Sequence, residues 1–383
     1  MEKRNRSLTT LSFAHYFNDM YSMILPGLIP ILILIFDLSY FQAGIAAMLF
    51  IAIPAVLKPL LGHTGDVGKG KQFLVGGLLL VSICAAFFGM APNYMTFLIL
   101  CGIAGVGLAA YHPLATYFLS TDFKEKKGKA MGVHGAGGSL GHFSGPTLIT
   151  FLAATIIGWK LGLVLLVLPT ICIATLCWIT LHSSDLQPMS NLKFTSSSIK
   201  TVLTPSIIIL SVVLALRTAV YRGLVTFLPS FFVEEGTSLL YSGILTGTML
   251  IAGVLAQPLG GLVSDHFGRK LIIFLSLLAL SPLVLIFGFL VTLSQLFLVI
   301  SLFLIGFCIF ASFPVGLAFA AELGEKNVGL TVGIVSAIYM GVPAVVPPII
   351  GFIIDTFGFF VAFYVLGGLS LMGAMIAILL PKK

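Results

Sequence analysis

Long apolar runs separated by short polar breaks organise this chain from end to end. Runs such as 74–90, 97–119 and 271–291 are each close to the roughly 20 residues that a helix needs to cross a bilayer. The breaks between them leave no room for a sizeable aqueous domain. The pattern predicts twelve membrane-spanning helices, near 8–36, 41–62, 73–91, 96–120, 129–153, 158–182, 205–233, 239–263, 270–290, 294–320, 328–354 and 358–380.

The composition supports a chain that lies almost wholly in lipid. Of its 383 residues, 58% are hydrophobic and only 9% are charged, whereas a soluble domain usually carries about 25% charged residues. The mean hydropathy is +1.14. The five cysteines fall inside apolar runs and show no disulfide framework or zinc spacing, so they are interpreted as small core residues.

The basic residues indicate how the chain is oriented. With the N-terminus inside, sixteen of the 20 Lys and Arg residues fall at the inner ends of the predicted spans. Cytoplasmic loops of membrane proteins carry such an excess. We therefore expect a multi-pass protein of the cell (plasma or inner) membrane with both termini in the cytoplasm. The net charge of +7 then reflects topology, and no nucleic-acid partner is expected.

The sequence also repeats itself once. Pro30 corresponds to Pro229 at an offset of 199 residues, and Pro146 corresponds to Pro347 at an offset of 201. Many transporters consist of two copies of one bundle related by an axis along the membrane normal. The predicted fold is therefore an all-α polytopic membrane protein of two pseudo-symmetric six-helix bundles. Their expected bounds are 1–182 and 205–383, joined by a cytoplasmic linker at 183–204.

Two polar loops, after the second and eighth spans, share a pattern of glycine, acid and base. An acid at the cytoplasmic end of a span can accept hydrogen bonds from a helix N-terminus and pair with a nearby base. We interpret the loops as a conformational latch, although loops that only direct topology would explain the same residues. The latch residues are Gly62, Asp66 and Lys71 in the first copy, and Gly261, Asp265, Gly268, Arg269 and Lys270 in the second.

The fifth span is rich in glycine. Gly141 and Gly145 are spaced to let helix backbones approach closely in lipid, and Pro146 removes a backbone donor and permits a kink. Together with Gly132, these residues are predicted to pack this helix closely against a neighbour. Such packing would explain them with or without a role in exchange.

Ionisable groups inside the spans point to function, because even low estimates put a charge at the bilayer centre at about 2.5–3.5 kcal/mol. Asp19 is the one carboxylate deep inside a predicted span, and His15 lies one turn before it on the same helix face. Either residue can carry a coupling proton. A buried pair that only ties the first span to its neighbours is the alternative.

The seventh span carries two arginines. Arg217 corresponds to Asn18 of the first span and precedes Tyr221 by one turn. A guanidinium in a central cavity would attract an anionic group on a substrate, so Arg217 is the first candidate for that contact and Arg222 the second. Alternatively, Arg217 pairs permanently with Asp19 and binds nothing.

Histidines on the fourth and fifth spans are further candidates. His112, beside Tyr111 and Pro113, is a third proton-coupling candidate, whereas Tyr111, His134 and His142 are candidates for the substrate path along with Asn18. Their spacing on separate helices forms no recognisable metal motif, so no metal and no cofactor are expected. Each histidine could equally be a hydrogen-bonded packing residue.

Several of these segments occur together in one known family. They are His15-x-x-Asn18-Asp19, Tyr111-His112-Pro113, the glycine-rich stretch Gly132–Pro146, Arg217–Pro229 and Glu322-x-x-x-Lys326-Asn327-Val328-Gly329. The whole chain resembles the fosmidomycin-resistance branch of the major facilitator superfamily, and Gly261–Lys270 resembles the loop signature of the superfamily as a whole. The resemblance implies two six-helix bundles that rock around a central site, with proton-driven drug efflux as the activity. The first loop lacks the basic residue that follows its acid in the family pattern. The fifth span resembles the superfamily's antiporter signature, but Ile149 and Thr150 replace the last two glycines of that signature.

The residues and the resemblance together predict a monomeric secondary active transporter that exports a small anionic or amphiphilic compound, such as a drug, in exchange for protons. Proton-coupled uptake of an organic anion or nutrient would use the same residues. A membrane receptor or sensor is the alternative from another class. An enzyme is not expected, because the metalloprotease, hydrolase and ATPase motifs do not occur.

Overall fold

The computed structural model of the protein describes residues 2–66, 68–123, 127–181, 202–291, 294–324 and 328–381. Every regular element within these residues is helical. The helices of the first half are α1 (Glu2–Ser22 and Ile24–Phe36), α2 (Tyr40–Asp66), α3 (Gly70–Phe88), α4 (Tyr94–Asp122), α5 (Lys127–Ala154) and α6 (Gly158–Leu165 and Val167–Thr180).

The second half begins with α7 (Pro205–Glu234), α8 (Leu239–Phe267), α9 (Arg269–Leu285 and Phe287–Leu290) and α10 (Gln295–Leu323). Helix α11 comprises Val328–Gly341, the 3-10 turn Val342–Val345 and residues 346–357, and α12 comprises residues 359–377; Gly358 separates the two within the stretch Val346–Ala377. Gly358 has a φ of 82°, a backbone conformation that glycine adopts readily and other residues rarely do.

The lengths of these helices suit a bilayer. Nine stretches of the described chain are long and apolar enough to cross a membrane, and the last of them has 50 residues, enough for two crossings. Helices α5 and α9 are additional to these nine and complete the set of twelve. Exposed apolar side chains such as Leu34 and Leu262 cover the outside, as contact with lipid requires. The predicted twelve-helix, all-α fold is confirmed.

The internal repeat is visible in the backbone as well as in the sequence. Asn93 and Ser294 cap α4 and α10 with extended backbones, and each side chain accepts a hydrogen bond from an N–H three residues later. Gly158 and Gly358 both have positive φ at the turn before the last helix of each half. Equivalent turns therefore shape the two halves, although most of their side chains differ.

Contacts between Cα atoms divide the chain into two compact units. The first contains Met1–Leu38, Ile45–Asn191 and Phe232–Gly247, and the second contains Ser39–Gly44, Leu192–Phe231 and Thr248–Lys383. In the first unit α1 packs most extensively along α5, and in the second α9 packs against α10 and α12. Most of the predicted linker 183–204 lies outside the described residues, so the predicted bounds of the halves stay a prediction.

Some boundaries differ from those that hydropathy predicts. The first span is interrupted at Met23, where a backbone ψ of 4° separates two helical pieces. Helix α8 continues to Phe267, so Asp265 lies in its last turn and not in a loop. The helix continues because its last turn is polar yet still hydrogen-bonded, a property that hydropathy does not detect.

Candidate functional site

The carboxylate of Asp19 lies at the centre of a buried polar cluster in the first unit. His15 is one helical turn earlier on α1, and its Nε2 atom lies 3.1 Å from Asp19 Oδ2. His15 is 9% exposed and Asp19 is 3% exposed. The i, i+4 spacing predicts this placement because residues four apart share a helix face. Local sequence alone is therefore enough to bring this pair together.

Two further helices bring imidazoles to the same carboxylate. His112 on α4 places its Nε2 atom 3.3 Å from Asp19 Oδ1, and His142 on α5 places its Nε2 atom 3.3 Å from Oδ2. The side-chain amide of Asn18 donates a hydrogen bond to Oδ1 at 2.9 Å. Three histidines from three helices thus meet one acid, a convergence that sequence spacing does not reveal.

His134 and Tyr111 form the wall beside His15. The backbone carbonyl of His134 accepts a hydrogen bond from His15 Nδ1 at 2.8 Å, and the two imidazole rings stack with centroids 4.1 Å apart. Tyr111 is fully buried, stacks on His15 and donates its hydroxyl to the carbonyl of Leu11. Both residues hold the His15 ring in place, and the substrate contact predicted for them stays a prediction.

The contact between His15 and Asp19 brings two hydrogen-bond acceptors together if His15 is neutral and Asp19 is ionised. A carbonyl oxygen only accepts hydrogen bonds, so the Nδ1 atom of a neutral His15 carries the hydrogen and its Nε2 atom is bare. That bare nitrogen would face Asp19 Oδ2 at 3.1 Å, with two acceptors in contact in a buried place. An additional proton or another cation shared by the pair removes the conflict. The geometry of the cluster therefore suits uptake of a proton or another cation.

Glycines on α5 make the convergence possible. A Cβ atom on Gly138 would lie 2.5 Å from His15 Nε2 and 2.7 Å from Asp19 Oδ2, and a Cβ atom on Gly141 would collide with the backbone of Tyr16. Gly145 meets α1 in the same close way, whereas a Cβ on Gly132 would meet nothing within 4 Å. The predicted close packing of α5 thus does not extend to Gly132.

The same helix contains a glycine whose importance sequence analysis missed. Gly138 was one of several glycines in α5, and only its position beside the His15–Asp19 pair distinguishes it. Its signal in the sequence is weak, because Gly135 and Gly137 lie close to it in the chain. The spacing of Gly132, Gly141 and Gly145 also does not include it. Pro146 lies inside the helix Lys127–Ala154, and the kink that this residue permits stays a prediction.

In the second unit, Arg217 is 3% exposed and is surrounded by aromatic rings. Its guanidinium carbon lies 4.9 Å from the ring centroid of Phe313 and 5.8 Å from that of Tyr339. The Nη2 atom donates to the hydroxyl of Thr218 at 3.1 Å. Its Nε and Nη1 atoms are buried without a hydrogen-bond partner among the described residues. Such unpaired donors are costly, which makes them available to an anionic ligand.

Arg222 is placed differently from Arg217. Its guanidinium carbon lies 5.4 Å from the ring centroid of Tyr221, and that ring makes an edge contact with Phe310. The two arginines therefore contact different aromatic rings, as their spacing of five residues predicts. Tyr221 is the ring partner of Arg222 and is itself buried.

The second loop with the latch pattern forms an ion-pair network at one end of the second unit. Arg269 pairs with Asp265 one turn earlier, contacts Ser264, and donates its Nε–H to Glu322 on α10 at 3.0 Å. Desolvation lowers the pKa of Arg269, but its hydrogen bonds to Glu322 and Asp265 outweigh that effect and raise the pKa above its ordinary value. The acid–base pattern of the sequence predicts an ion pair here, but it does not indicate Glu322 as a partner.

The neighbouring members of the latch pattern have separate roles. Lys270 donates to the carbonyls of Ile378 and Leu380 beyond the end of α12, and Gly268 has a φ of 90° that suits glycine. A Cβ atom on Gly261 would meet nothing within 4 Å. Adjacent residues of the pattern thus contact two different helices: Arg269 pairs with α8, and Lys270 bonds to the chain just beyond α12.

The first copy of the pattern is built differently. The Lys71 ammonium lies 4.5 Å from the ring centroid of Trp178 on α6, and Gly62 faces Pro113 on α4. The side chain of Asp66 lies outside the part of the chain that the structure describes. A latch role for this copy stays a prediction.

Comparison with known proteins supports the fold and the family. The model of the Major Facilitator Superfamily matches residues 11–253 and 210–383. A crystal structure of a bacterial homolog to the human lysosomal transporter Spinster, in an inward-facing and occupied conformation, matches with a TM-score of 0.82 at 16% identity. That match covers 99% of this chain and 97% of the solved one.

Curated relatives include two transport or resistance proteins from Escherichia coli (strain K12). The Fosmidomycin resistance protein is 23% identical over 390 residues, covering 98% of this chain and 93% of the relative. The cyanate transport protein CynX is 26% identical over 243 residues, covering 60% of each chain. Since the family model matches both halves of the sequence, and the described residues form twelve long helices with a matching repeat, this chain belongs to the Major Facilitator Superfamily of membrane transporters.

Proposed function

We propose that this chain is a proton-coupled antiporter that exports a small anionic or amphiphilic compound, such as a drug, by alternating access. The observation that carries the proposal is the buried guanidinium of Arg217, with two donor atoms that have no partner among the described residues. A permanent cation in this place is stabilised by the faces of Phe313 and Tyr339 only in part. A carboxylate or similar oxyanion would satisfy both remaining donors at once.

The chemistry of Arg217 favours a planar or multidentate anion. A guanidinium presents its N–H groups in a fixed fork that matches two oxygens of one anionic group, and it keeps its charge throughout the working range of pH. The aromatic rings around it provide apolar contact for the rest of an amphiphilic compound. Arg222 and Tyr221 are secondary candidates along the same path.

The Asp19 cluster is the proposed binding site for the coupling proton. Since His15 donates its Nδ1–H to a carbonyl, the contact between its Nε2 atom and Asp19 needs one additional proton. His112 is a third member of the relay, because its side chain is 39% exposed while it contacts the same carboxylate. Asn18 and His142 complete the polar surroundings of that acid. Binding and release of this proton would drive the transport cycle.

The printed names of the relatives agree with this proposal. One relative is a Fosmidomycin resistance protein, a name that fits export of a drug, and another transports cyanate, which is an anion. We further propose that the protein acts as a monomer in the cell (plasma or inner) membrane with both termini in the cytoplasm, and that it needs no cofactor. The latch residues, chiefly Asp265 and Arg269, would stabilise one state of the cycle.

Flux in proteoliposomes tests the proposal. Purified protein is first screened by thermal shift in detergent against carboxylates, phosphonates and sulfonates, and the stabilising compounds are then loaded into liposomes of known orientation. An imposed inward proton gradient should drive the compound outward against its own gradient. Flux in the same direction as the protons would instead establish uptake by symport. Ligand binding without any flux would indicate a receptor or sensor.

A further inference from the structure

The polar cluster of the first unit has the donor set of a metal site as well as that of a proton site. His15, His112 and Asp19 each offer one ligand atom, a ring nitrogen or a carboxylate oxygen, and these three atoms all lie within 4.8 Å of one another. They come from two helices that lie far apart in sequence, so the arrangement belongs to the tertiary structure. His15 and Asp19 are buried, whereas the His112 side chain is 39% exposed. An ion can therefore reach the donors from the His112 side.

We infer that His15, Asp19 and His112 bind one divalent transition-metal ion of the zinc type. The inference rests on the donor atoms and their spacing. It is independent of the direction of transport and of the identity of the organic compound. It adds a second kind of ligand to the anion and the proton proposed above.

The spacing of the donors suits a small metal ion. Zinc is bound by nitrogen and oxygen at about 2.0–2.2 Å in tetrahedral sites, which places neighbouring ligand atoms about 3.3 Å apart. The two oxygens of the Asp19 carboxylate each have one imidazole neighbour, with Oδ2 3.1 Å from His15 Nε2 and Oδ1 3.3 Å from His112 Nε2. Small adjustments of the side chains would therefore admit the ion. Imidazole donors favour zinc, cobalt or nickel over magnesium or calcium.

The surroundings of the donors match those of ligands that hold metals. Ligating histidines commonly donate their other ring N–H to a carbonyl or carboxylate, which fixes the tautomer and the ring orientation. His15 does so through Nδ1, which donates to the carbonyl of His134 at 2.8 Å. Asn18 orients the carboxylate by donating to Asp19 Oδ1 at 2.9 Å. His15 thus presents a bare Nε2 atom to the ion.

A further donor lies beside the triad. His142 Nε2 is 3.3 Å from Asp19 Oδ2, and its side chain is 30% exposed. It can supply a fourth nitrogen or leave that position to water. A metal ion bound here would link α1 to α4 through their side chains.

Equilibrium binding in detergent tests the site. The full chain, with any affinity tag removed, is titrated with Co²⁺, whose visible absorption reports coordination by nitrogen and oxygen, and the ion is then displaced with Zn²⁺. We expect one Co²⁺ per chain. We also expect His15→Ala and His112→Ala to weaken binding by more than about 100-fold, because even residues that only orient a ligand contribute about 10- to 100-fold.

His266→Ala is the matched control, since His266 is exposed near the end of α8 and lies outside the cluster. It should bind Co²⁺ as the unchanged protein does. Size-exclusion profiles and melting temperatures identify any variant that fails to fold. If His112→Ala fails, His112→Gln replaces it, because this change alters a partly exposed side chain and keeps most of its volume. The inference is overturned if the unchanged protein takes up no stoichiometric Co²⁺, or if the His15 and His112 variants bind it equally well. Because no gradient is used, this result is independent of whether transport is coupled to protons.

Discussion

The polar cluster of the first half and the arginine of the second half occupy positions that the internal repeat relates to each other. Asn18 corresponds to Arg217 at an offset of 199, and His112 corresponds to Phe313 at an offset of 201. In the first half these two side chains approach each other to 3.5 Å beside the acid, and in the second the guanidinium lies over the phenyl ring. The shared helical frame thus places side chains in equivalent pairs.

The difference lies in volume and charge. Gly138 of α5 corresponds to Tyr339 of α11. Where the first half has glycine, the imidazoles and the carboxylate of Asp19 fill the space; where the second has tyrosine, the ring covers Arg217. A symmetric frame therefore holds an acid with histidines in one half and a cation with aromatic rings in the other. If the proposed function holds, the acidic cluster would bind the proton and the arginine would bind the anion.

The largest expected effect comes from removing the acid. Asp19→Asn keeps the shape of the side chain but cannot take up a proton, so driven transport under a pH gradient should fall to the background of empty liposomes. Exchange of labelled for unlabelled compound at equal pH should continue, because it needs no net proton movement. Asp122→Asn is the control, since that acid accepts a hydrogen bond from Ser7 outside the cluster. Driven transport by the Asp19 variant at the normal rate would contradict the coupling assignment.

Next in size is the effect of changing the cation. Arg217→Lys keeps the charge but loses the fork of donors, so the KM for an anionic compound should rise by about 10- to 100-fold, as expected for hydrogen bonds to charged groups of about 1.5–3 kcal/mol. Lys160→Gln, near the start of α6, serves as the control. Concentration-dependent flux measures both. An unchanged KM for the Arg217 variant would remove this residue from the anion site.

A smaller effect should follow from filling the space beside the acid. Gly138→Ala places a methyl group against His15 and Asp19, and overpacking of this kind costs about 1–3 kcal/mol. We expect a melting temperature several degrees lower in detergent. Gly132→Ala on the same helix meets open space and should be neutral or slightly stabilising, because alanine favours a helix by about 0.5–1 kcal/mol over glycine. Equal melting temperatures for the two variants would refute the close contact at Gly138.

The smallest effect on stability is expected at the ion-pair network of α8. Arg269→Gln removes contacts with Asp265 and Glu322, whose side chains are 54% and 40% exposed. Exposed pairs contribute at most about 1 kcal/mol, so the melting temperature should change little. A role as a latch would appear instead as a changed ratio of inward-open to outward-open protein in cysteine-accessibility measurements. A loss of stability as large as that of Gly138→Ala would show that the network holds the fold together.

The pH dependence of that network follows from the direction of the pKa shift. The folded-state pKa of Arg269 is raised, so the stability that its interactions add is fully present below its unfolded pKa and is lost only as the pH rises through the folded value. Both values lie in the strongly alkaline range. The charge on Arg269 therefore does not switch at physiological pH, and any pH dependence of transport there should come from the Asp19 cluster.

Much of the molecule follows from local physical rules that a sequence displays. Runs of about 20 apolar residues span the bilayer as helices, because a helix satisfies its backbone hydrogen bonds within one segment. The repeat of prolines and glycines predicts two matching halves, and the spacing of His15 and Asp19 predicts their contact. Each of these depends on residues that are near in sequence or on a pattern that recurs.

Tertiary structure alone decided what surrounds those residues. His112 and His142 reach Asp19 because of the rotation of two other helices, which hydropathy does not encode when a helix is apolar on most sides. Gly138 permits that approach, yet it lies among other glycines in the sequence, Gly135 and Gly137. Phe313 and Tyr339 come to Arg217 in the same way. The convergence of distant helices depends on how whole helix surfaces pack against each other. The sequence pattern of one helix describes only its own surface and does not specify its partner.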